Sequence, residues 1–130
     1  MRFEGEYLYS HKLRGKYLIN DKSEYEGEYL YDKKWNGKGY DKNGNIIYEL
    51  KNGSGKVKEY LYTNLIFEGE YLNGKRNGKG KEYIWDNSEP IFEGEYLNGK
   101  RNGKGKEYEN GDLIYEGEYL NDKRKDEFYL

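Results

Sequence analysis

Polar and apolar residues alternate with period two along much of this chain, most clearly in Phe67-Glu68-Gly69-Glu70-Tyr71-Leu72. The alternation puts Phe67, Gly69 and Tyr71 on one face and Glu68, Glu70 and Leu72 on the other, which predicts a strand. Asn73-Gly74-Lys75-Arg76 then supplies turn chemistry, and residues 77–83 alternate again, so the pair predicts a β-hairpin. No segment carries a helical period.

The hairpin recurs. Residues 67–83 and 92–108 are identical at an offset of 25 residues, and aromatic-Glu-Gly-Glu-Tyr-Leu also opens at Phe3, Tyr25 and Tyr115, with a weaker copy at Tyr48. Six units, spaced by 22, 23, 19, 25 and 23 residues, are expected to fill residues 1–130 as a single solenoid, leaving no room within them for a second domain. In such an array a side chain that recurs in every unit is first a building constraint and only then a candidate for chemistry.

A four-residue turn over residues 73–76 would set Leu72 opposite Asn77, Tyr71 opposite Gly78, Glu70 opposite Lys79, Gly69 opposite Gly80 and Glu68 opposite Lys81. Three glycines per hairpin on the aromatic face would admit rings from the same or the next hairpin. Glu–Lys pairs on the other face would contribute roughly 0.2–1 kcal/mol each. Units one and two read as one residue longer in the turn, with Leu13 and Trp35 in one equivalent turn position. The Tyr48 unit is short and carries Leu50 and Val57 where glycines are expected, so it should disturb the stacking. The last unit has Asp126 and Phe128 in place of the second-strand glycines and reads as a truncated cap. Pro90 falls in the longest connector, where a loop absorbs it.

Composition refines this picture. Leu, Ile, Val and Phe number only 24 of 130 residues, a share typical of disorder, but net charge is −2 and 17 tyrosines supply large apolar faces. The expectation is an ordered, thin protein whose rings are buried between neighbouring units. The 23 basic and 25 acidic residues are interspersed, which argues against nucleic acid as a partner. No cysteine is available for disulfides or thiolate metal sites. With no secretory apolar stretch and no apolar run near 18 residues, a cytoplasmic protein, membrane-peripheral at most, is expected.

A unit of aromatic-x-Gly-x-aromatic, a Gly-bearing turn and Gly-x-Gly resembles the MORN (membrane occupation and recognition nexus) repeat. The likeness is strong over residues 67–83 and 92–108, good over 25–40, partial at Phe3 and Tyr115 and poor at Tyr48. It implies an all-β, single-layer, elongated and twisted antiparallel solenoid of hairpins, used as a scaffold, dimerisation or docking module and sometimes proposed to contact phospholipids. Catalysis in that family resides in separate domains.

The residues offer little for chemistry of their own. Carboxylate pairs such as Glu68/Glu70 sit about 7 Å apart on one strand face, a glycosidase-like separation. The pair recurs at Glu4/Glu6, Glu26/Glu28, Glu93/Glu95 and Glu116/Glu118 with lysines opposite, so it reads as structural, and no catalytic residue is assigned. His11, the single histidine, lacks companions for a metal or a triad and reads as a solvated turn residue. Asn-Gly-Lys-Gly-Lys falls short of a phosphate loop, and Asp41-Lys42-Asn43-Gly44-Asn45 falls short of a calcium loop. No cofactor or metal is expected.

Two sets of residues remain as contact candidates. Basic turn pairs Lys33-Lys34, Lys75-Arg76, Lys100-Arg101 and Lys123-Arg124 recur at equivalent loops and would form a basic edge for an acidic lipid surface or acidic protein. Aromatic and apolar residues outside the repeat signature, namely Tyr9, Leu13, Tyr31, Trp35, Tyr62, Trp85, Phe128 and Tyr129, are candidates for a protein partner. Terminal Phe128 and Tyr129 could also serve a homodimer contact at the last repeat. The leading expectation is a non-enzymatic protein-interaction scaffold. Binding of acidic phospholipid through the turns comes second, and a carbohydrate- or choline-binding hairpin solenoid third.

Overall fold

The computed structural model describes residues 2–19, 22–61, 64–84 and 89–125. Twelve strands follow one another: β1 (Arg2–Leu8), β2 (His11–Ile19), β3 (Lys22–Leu30), β4 (Lys33–Tyr40), β5 (Ile46–Leu50), β6 (Gly55–Leu61), β7 (Asn64–Leu72), β8 (Lys75–Tyr83), β9 (Pro90–Leu97), β10 (Lys100–Glu109), β11 (Asp112–Leu120) and β12 (Lys123–Arg124). Strands β1 to β5 form one sheet and β6 to β12 another, each strand antiparallel to its neighbours in sequence and neither sheet closed into a barrel. The hairpin array expected from the alternation is therefore present. Among the described residues no helix is long and apolar enough to cross a membrane.

The register is half as expected. Gly69 faces Gly80 and Glu68 faces Lys81, but Leu72 pairs with Lys75 and Tyr71 with Arg76. The turn is thus two residues, Asn73-Gly74, with φ of 52° and 80°, the doubly positive pair that a tight type I′ hairpin requires. The two extra residues move into a bulge in β8, where Gly78 has φ of 100° and the Glu70 carboxylate accepts from the Lys79 amide at 2.8 Å. Gly78 therefore serves the bulge and not the aromatic face.

Units one and two follow the same plan with a bulge one residue shorter. Tyr7 pairs with Lys12 and Gly5 with Gly15, so the turn is Tyr9-Ser10 and Leu13 is the bulged residue. Trp35 takes the same place after the turn Tyr31-Asp32. The expected longer turn is corrected: Gly15 and Gly37 correspond to Gly80, and Leu13 and Trp35 lie inside strands.

Glycine faces glycine at the centre of each regular hairpin for a steric reason. A methyl group on Gly94 would lie 2.6 Å from the Lys104 carbonyl oxygen and 2.8 Å from the Phe92 ring. At the third unit the glycines give way to Leu50 and Val57, and there the sheet breaks: β5 and β6 do not pair, and an isolated bridge, Lys51 to Ser54, closes the turn between them. Tyr48, Leu50 and Val57 close into a small buried cluster with Ile47 and Tyr71 against it. Aliphatic side chains hold apart the strands that paired glycines let meet, as the degenerate unit predicted.

The remaining core is a herringbone of rings. Phe67 meets Tyr96 edge to face at 5.3 Å, Tyr96 meets Phe92 at 5.6 Å, Phe92 meets Tyr119 at 5.1 Å and Tyr119 meets Tyr115 at 5.6 Å. Each unit's tyrosine packs on the first ring of the unit before it, so stability is built from neighbour contacts.

Candidate functional site

Every regular hairpin places a cation at the second residue after its turn, directly over its own first ring. The distances to the ring centroid are 5.4 Å for Lys12 over Phe3, 5.2 Å for Lys34 over Tyr25, 4.2 Å for Arg76 over Phe67, 4.1 Å for Arg101 over Phe92 and 4.6 Å for Arg124 over Tyr115. In the seven-stranded sheet these cations alternate with glutamates into one ladder. Arg76 binds Glu59 at 2.9 Å and approaches Glu82 at 3.9 Å; Arg101 binds Glu82 at 2.9 Å and approaches Glu107 at 3.9 Å; Arg124 binds Glu107 at 3.0 Å. Tyrosine hydroxyls complete it, Tyr96 donating to Glu82 at 2.7 Å and Tyr119 to Glu107.

The ladder fixes protonation. Burial alone would raise the Glu82 carboxyl, but hydrogen bonds from Arg101 and Tyr96 outweigh it and hold the group below its ordinary range. Arg124 likewise lowers Glu107, against a smaller opposing effect of burial. Burial, then the neighbouring carboxylate, raises the hydroxyls of Tyr96 and Tyr119. In the first sheet the partners differ: Lys34 binds the buried Glu24 at 2.7 Å, and burial pushes Tyr25 up to about 12.

The basic turn pairs thus divide. Arg76, Arg101, Arg124 and Lys34 are committed to intramolecular partners and are not available as a free basic edge, because the two-residue turn points the second cation of each pair onto the aromatic face. Lys33, Lys75, Lys100 and Lys123 face solvent. Each is paired across its turn with an exposed leucine, Leu30, Leu72, Leu97 or Leu120, so this long edge displays one leucine and one lysine in each of these four units. Hydrogen bonds between successive turns stiffen it: Gly74 N–H donates to Gly53 O at 2.9 Å, Gly99 to Arg76 O at 2.8 Å and Asp122 to Arg101 O at 2.9 Å.

Among the aromatic candidates, Tyr9 and Tyr31 stand at turn tips, 88% and 73% exposed. Leu13 and Trp35 are half-buried. Trp35 packs on the next turn, where a methyl on Gly53 would lie 2.6 Å from its ring, and its carbonyl accepts from Gly53 N–H at 2.8 Å. Tyr62, Trp85, Phe128 and Tyr129 lie outside the described residues, as do Asp126 and the terminal cap. His11 sits at the start of β2 with Nδ1 2.8 Å from Asp32, and Asp41 accepts two backbone amides at 2.9 Å as the core of a turn.

The opposite face of the seven-stranded sheet carries a feature that was not anticipated, a trough of about 1140 Å³. Its floor is the glycine line Gly69, Gly80, Gly94, Gly105 and Gly117, and Ile47 and Val57 line it at the β6 end. Two charged rows form its walls. One runs Lys58, Glu68, Lys81, Glu93, Lys106, Glu116, the other Lys56, Glu70, Lys79, Glu95, Lys104, Glu118. In the first row the ion pairs join neighbouring units, Lys58 to Glu68 at 3.7 Å, Lys81 to Glu93 at 3.7 Å and Lys106 to Glu116 at 3.9 Å. In the second, Glu70 and Glu95 cap bulge amides at 2.8 and 2.7 Å and Glu118 binds Lys125 at 2.9 Å. Among the described residues the side chains of Lys56, Lys79 and Lys104 make no ion pair. The floor follows from strand alternation: a side chain at any of these glycine positions would point to the ring face, so the opposite face shows backbone between the two charged rows.

A protein-family model for the MORN repeat matches residues 67–87, 92–113 and 115–125. No curated protein matches the chain.

Proposed function

We propose that this MORN-repeat protein is a non-enzymatic docking module that holds an extended polypeptide segment in the trough across its seven-stranded sheet. One observation carries the reading: a continuous concave surface crosses the units with no side chain on its floor and with charged walls. The ring face is filled by its own ladder and has little left to offer a partner. The walls stand about 7 Å apart, two residues along a strand, which admits an extended chain and excludes an α-helix about 10 Å or more across. A peptide library displayed on phage tests this. Selected peptides should bind the wild-type protein and lose at least about tenfold with Lys79→Glu plus Lys104→Glu, a change that breaks no ion pair of the fold. Peptides insensitive to that change would place docking elsewhere.

A second reading, association with acidic phospholipid, draws on the Leu–Lys edge. Each lysine near an anionic surface contributes roughly 1 kcal/mol, so Lys75→Ser, Lys100→Ser and Lys123→Ser together should weaken liposome co-sedimentation at low salt by about two orders of magnitude. Unchanged co-sedimentation would remove that reading.

A further inference from the structure

We infer that the occupant of the trough is an acidic segment in the polyproline II conformation, carrying a carboxylate at every third residue. The inference rests on the docking reading and adds the chemistry and shape of the partner. It begins from the unequal state of the wall charges. The glutamates of the outer wall are used by bulge amides and by Lys125, and the inner wall is paired within itself. Among the described residues Lys56, Lys79 and Lys104 are the wall cations that hold no ion pair; they alternate along one side of the glycine floor with Glu70 and Glu95, whose carboxylates accept bulge amides, and Glu118, which binds Lys125.

Their spacing selects the partner. Lys56 lies on β6, Lys79 on β8 and Lys104 on β10, so consecutive lysines are two strands apart, about 9.4–9.8 Å. A polyproline II helix has three residues per turn at about 3.1 Å each, returning a side chain to the same side every ~9.3 Å. Over the two intervals the mismatch stays near or below about 1 Å, within reach of a flexible lysine. An extended β-chain returns to one side every ~6.7 Å and would present carboxylates out of phase with every second lysine. The floor suits the same ligand, since strand alternation leaves it as bare backbone between the two charged rows, on which pyrrolidine rings can pack, and a polyproline segment needs no strand-like ladder. Conformational pre-organisation would reduce the entropy lost on docking.

The test is a titration of isotope-labelled protein, followed through the amide resonances of Gly80, Gly94 and Gly105, with four blocked twelve-residue peptides at low salt. (Pro-Pro-Glu)4 should move those resonances and bind at least about tenfold tighter than (Gly-Ser-Glu)4, which has the same charges without the rigid backbone, and than (Thr-Glu)6, which favours a β-chain. Lys79→Gln with Lys104→Gln should weaken it at least tenfold while leaving the far-ultraviolet spectrum unchanged. Tighter binding of (Thr-Glu)6 at the same glycines would overturn the polyproline assignment and leave docking intact. Tighter binding of (Pro-Pro-Lys)4 would overturn the charge assignment. Silence of all four peptides, with a library-selected peptide still moving the glycines, would overturn the inference alone; silence of both would take the docking reading with it.

Discussion

Lys100 and Arg101 are adjacent, carry the same charge and belong to the same turn, yet the structure gives them opposite roles, and Arg101→Ala measures the difference. The Arg101 side chain is 19% exposed, contacts Glu82 through Nε at 3.0 Å and Nη2 at 2.9 Å, and lies 4.1 Å over the Phe92 ring. Charge-assisted hydrogen bonds of this kind contribute about 1.5–3 kcal/mol, and the ring contact about 1 kcal/mol. Removal also leaves Glu82, among the described residues, with the Tyr96 hydroxyl and Arg76 at 3.9 Å. A fully buried pair broken on one side costs about 3–5 kcal/mol, and residual exposure places Arg101→Ala at the low end, about 3 kcal/mol. Arg101→Lys keeps the charge without the two-pronged bond and should cost about 1–2 kcal/mol. Lys100→Ala should stay within about 0.5 kcal/mol. Urea titrations by circular dichroism give the three values, and a double-mutant cycle with Glu82→Gln should show coupling above about 1 kcal/mol. Equal effects of Lys100→Ala and Arg101→Ala, or no coupling to Glu82, would refute the ladder.

Gly94→Ala should destabilise by more than about 2 kcal/mol, because the added methyl meets backbone and the Phe92 ring, whereas Gly99→Ala meets open space and bears only the strain of φ at 88°, about 1 kcal/mol. Thermal unfolding separates the two. Tyr48 has a buried hydroxyl without a hydrogen-bond partner among the described residues, so Tyr48→Phe should leave stability unchanged or raise it by about 1 kcal/mol, while Tyr96→Phe, which strips a donor from Glu82, should lower it by a similar amount. Glu82 and Glu107 have folded pKa values below the ordinary 4.5, so their contribution is complete above that value and is lost as pH falls through the folded one. Urea midpoints should be flat from neutral pH to about pH 5 and fall below it, less steeply in Glu82→Gln with Glu107→Gln; an unchanged acid limb in the double variant would contradict this.

Much of the fold was legible from alternation and repetition alone, because strand period and turn composition are local properties. Gly69 opposite Gly80 and the disturbance at Leu50 and Val57 both follow from where glycine recurs. The outer half of the register was not legible. A four-residue turn and a two-residue turn with a bulge share the inner register, Gly69 opposite Gly80 and Glu68 opposite Lys81, and differ in the outer half, where Asn73-Gly74 makes the tight turn and Glu70 caps the Lys79 amide in the bulge. That choice decides whether Arg76 and Arg101 face solvent or rings, so the basic pairs looked alike in sequence and separated in space. Glu82 and Glu107, six residues after their arginines, were visible as recurrences, but nothing local shows that each glutamate serves the next hairpin's arginine. The trough escaped notice because its defining property is the absence of side chains.

Lysine footprinting on the complex with a library-selected peptide distinguishes docking in the trough from docking on the turn edge. With an amine-reactive label and mass spectrometry, binding should protect Lys56, Lys79 and Lys104 and leave Lys33, Lys75, Lys100 and Lys123 as reactive as in the free protein. Protection of the edge lysines with the trough lysines unchanged would contradict the account.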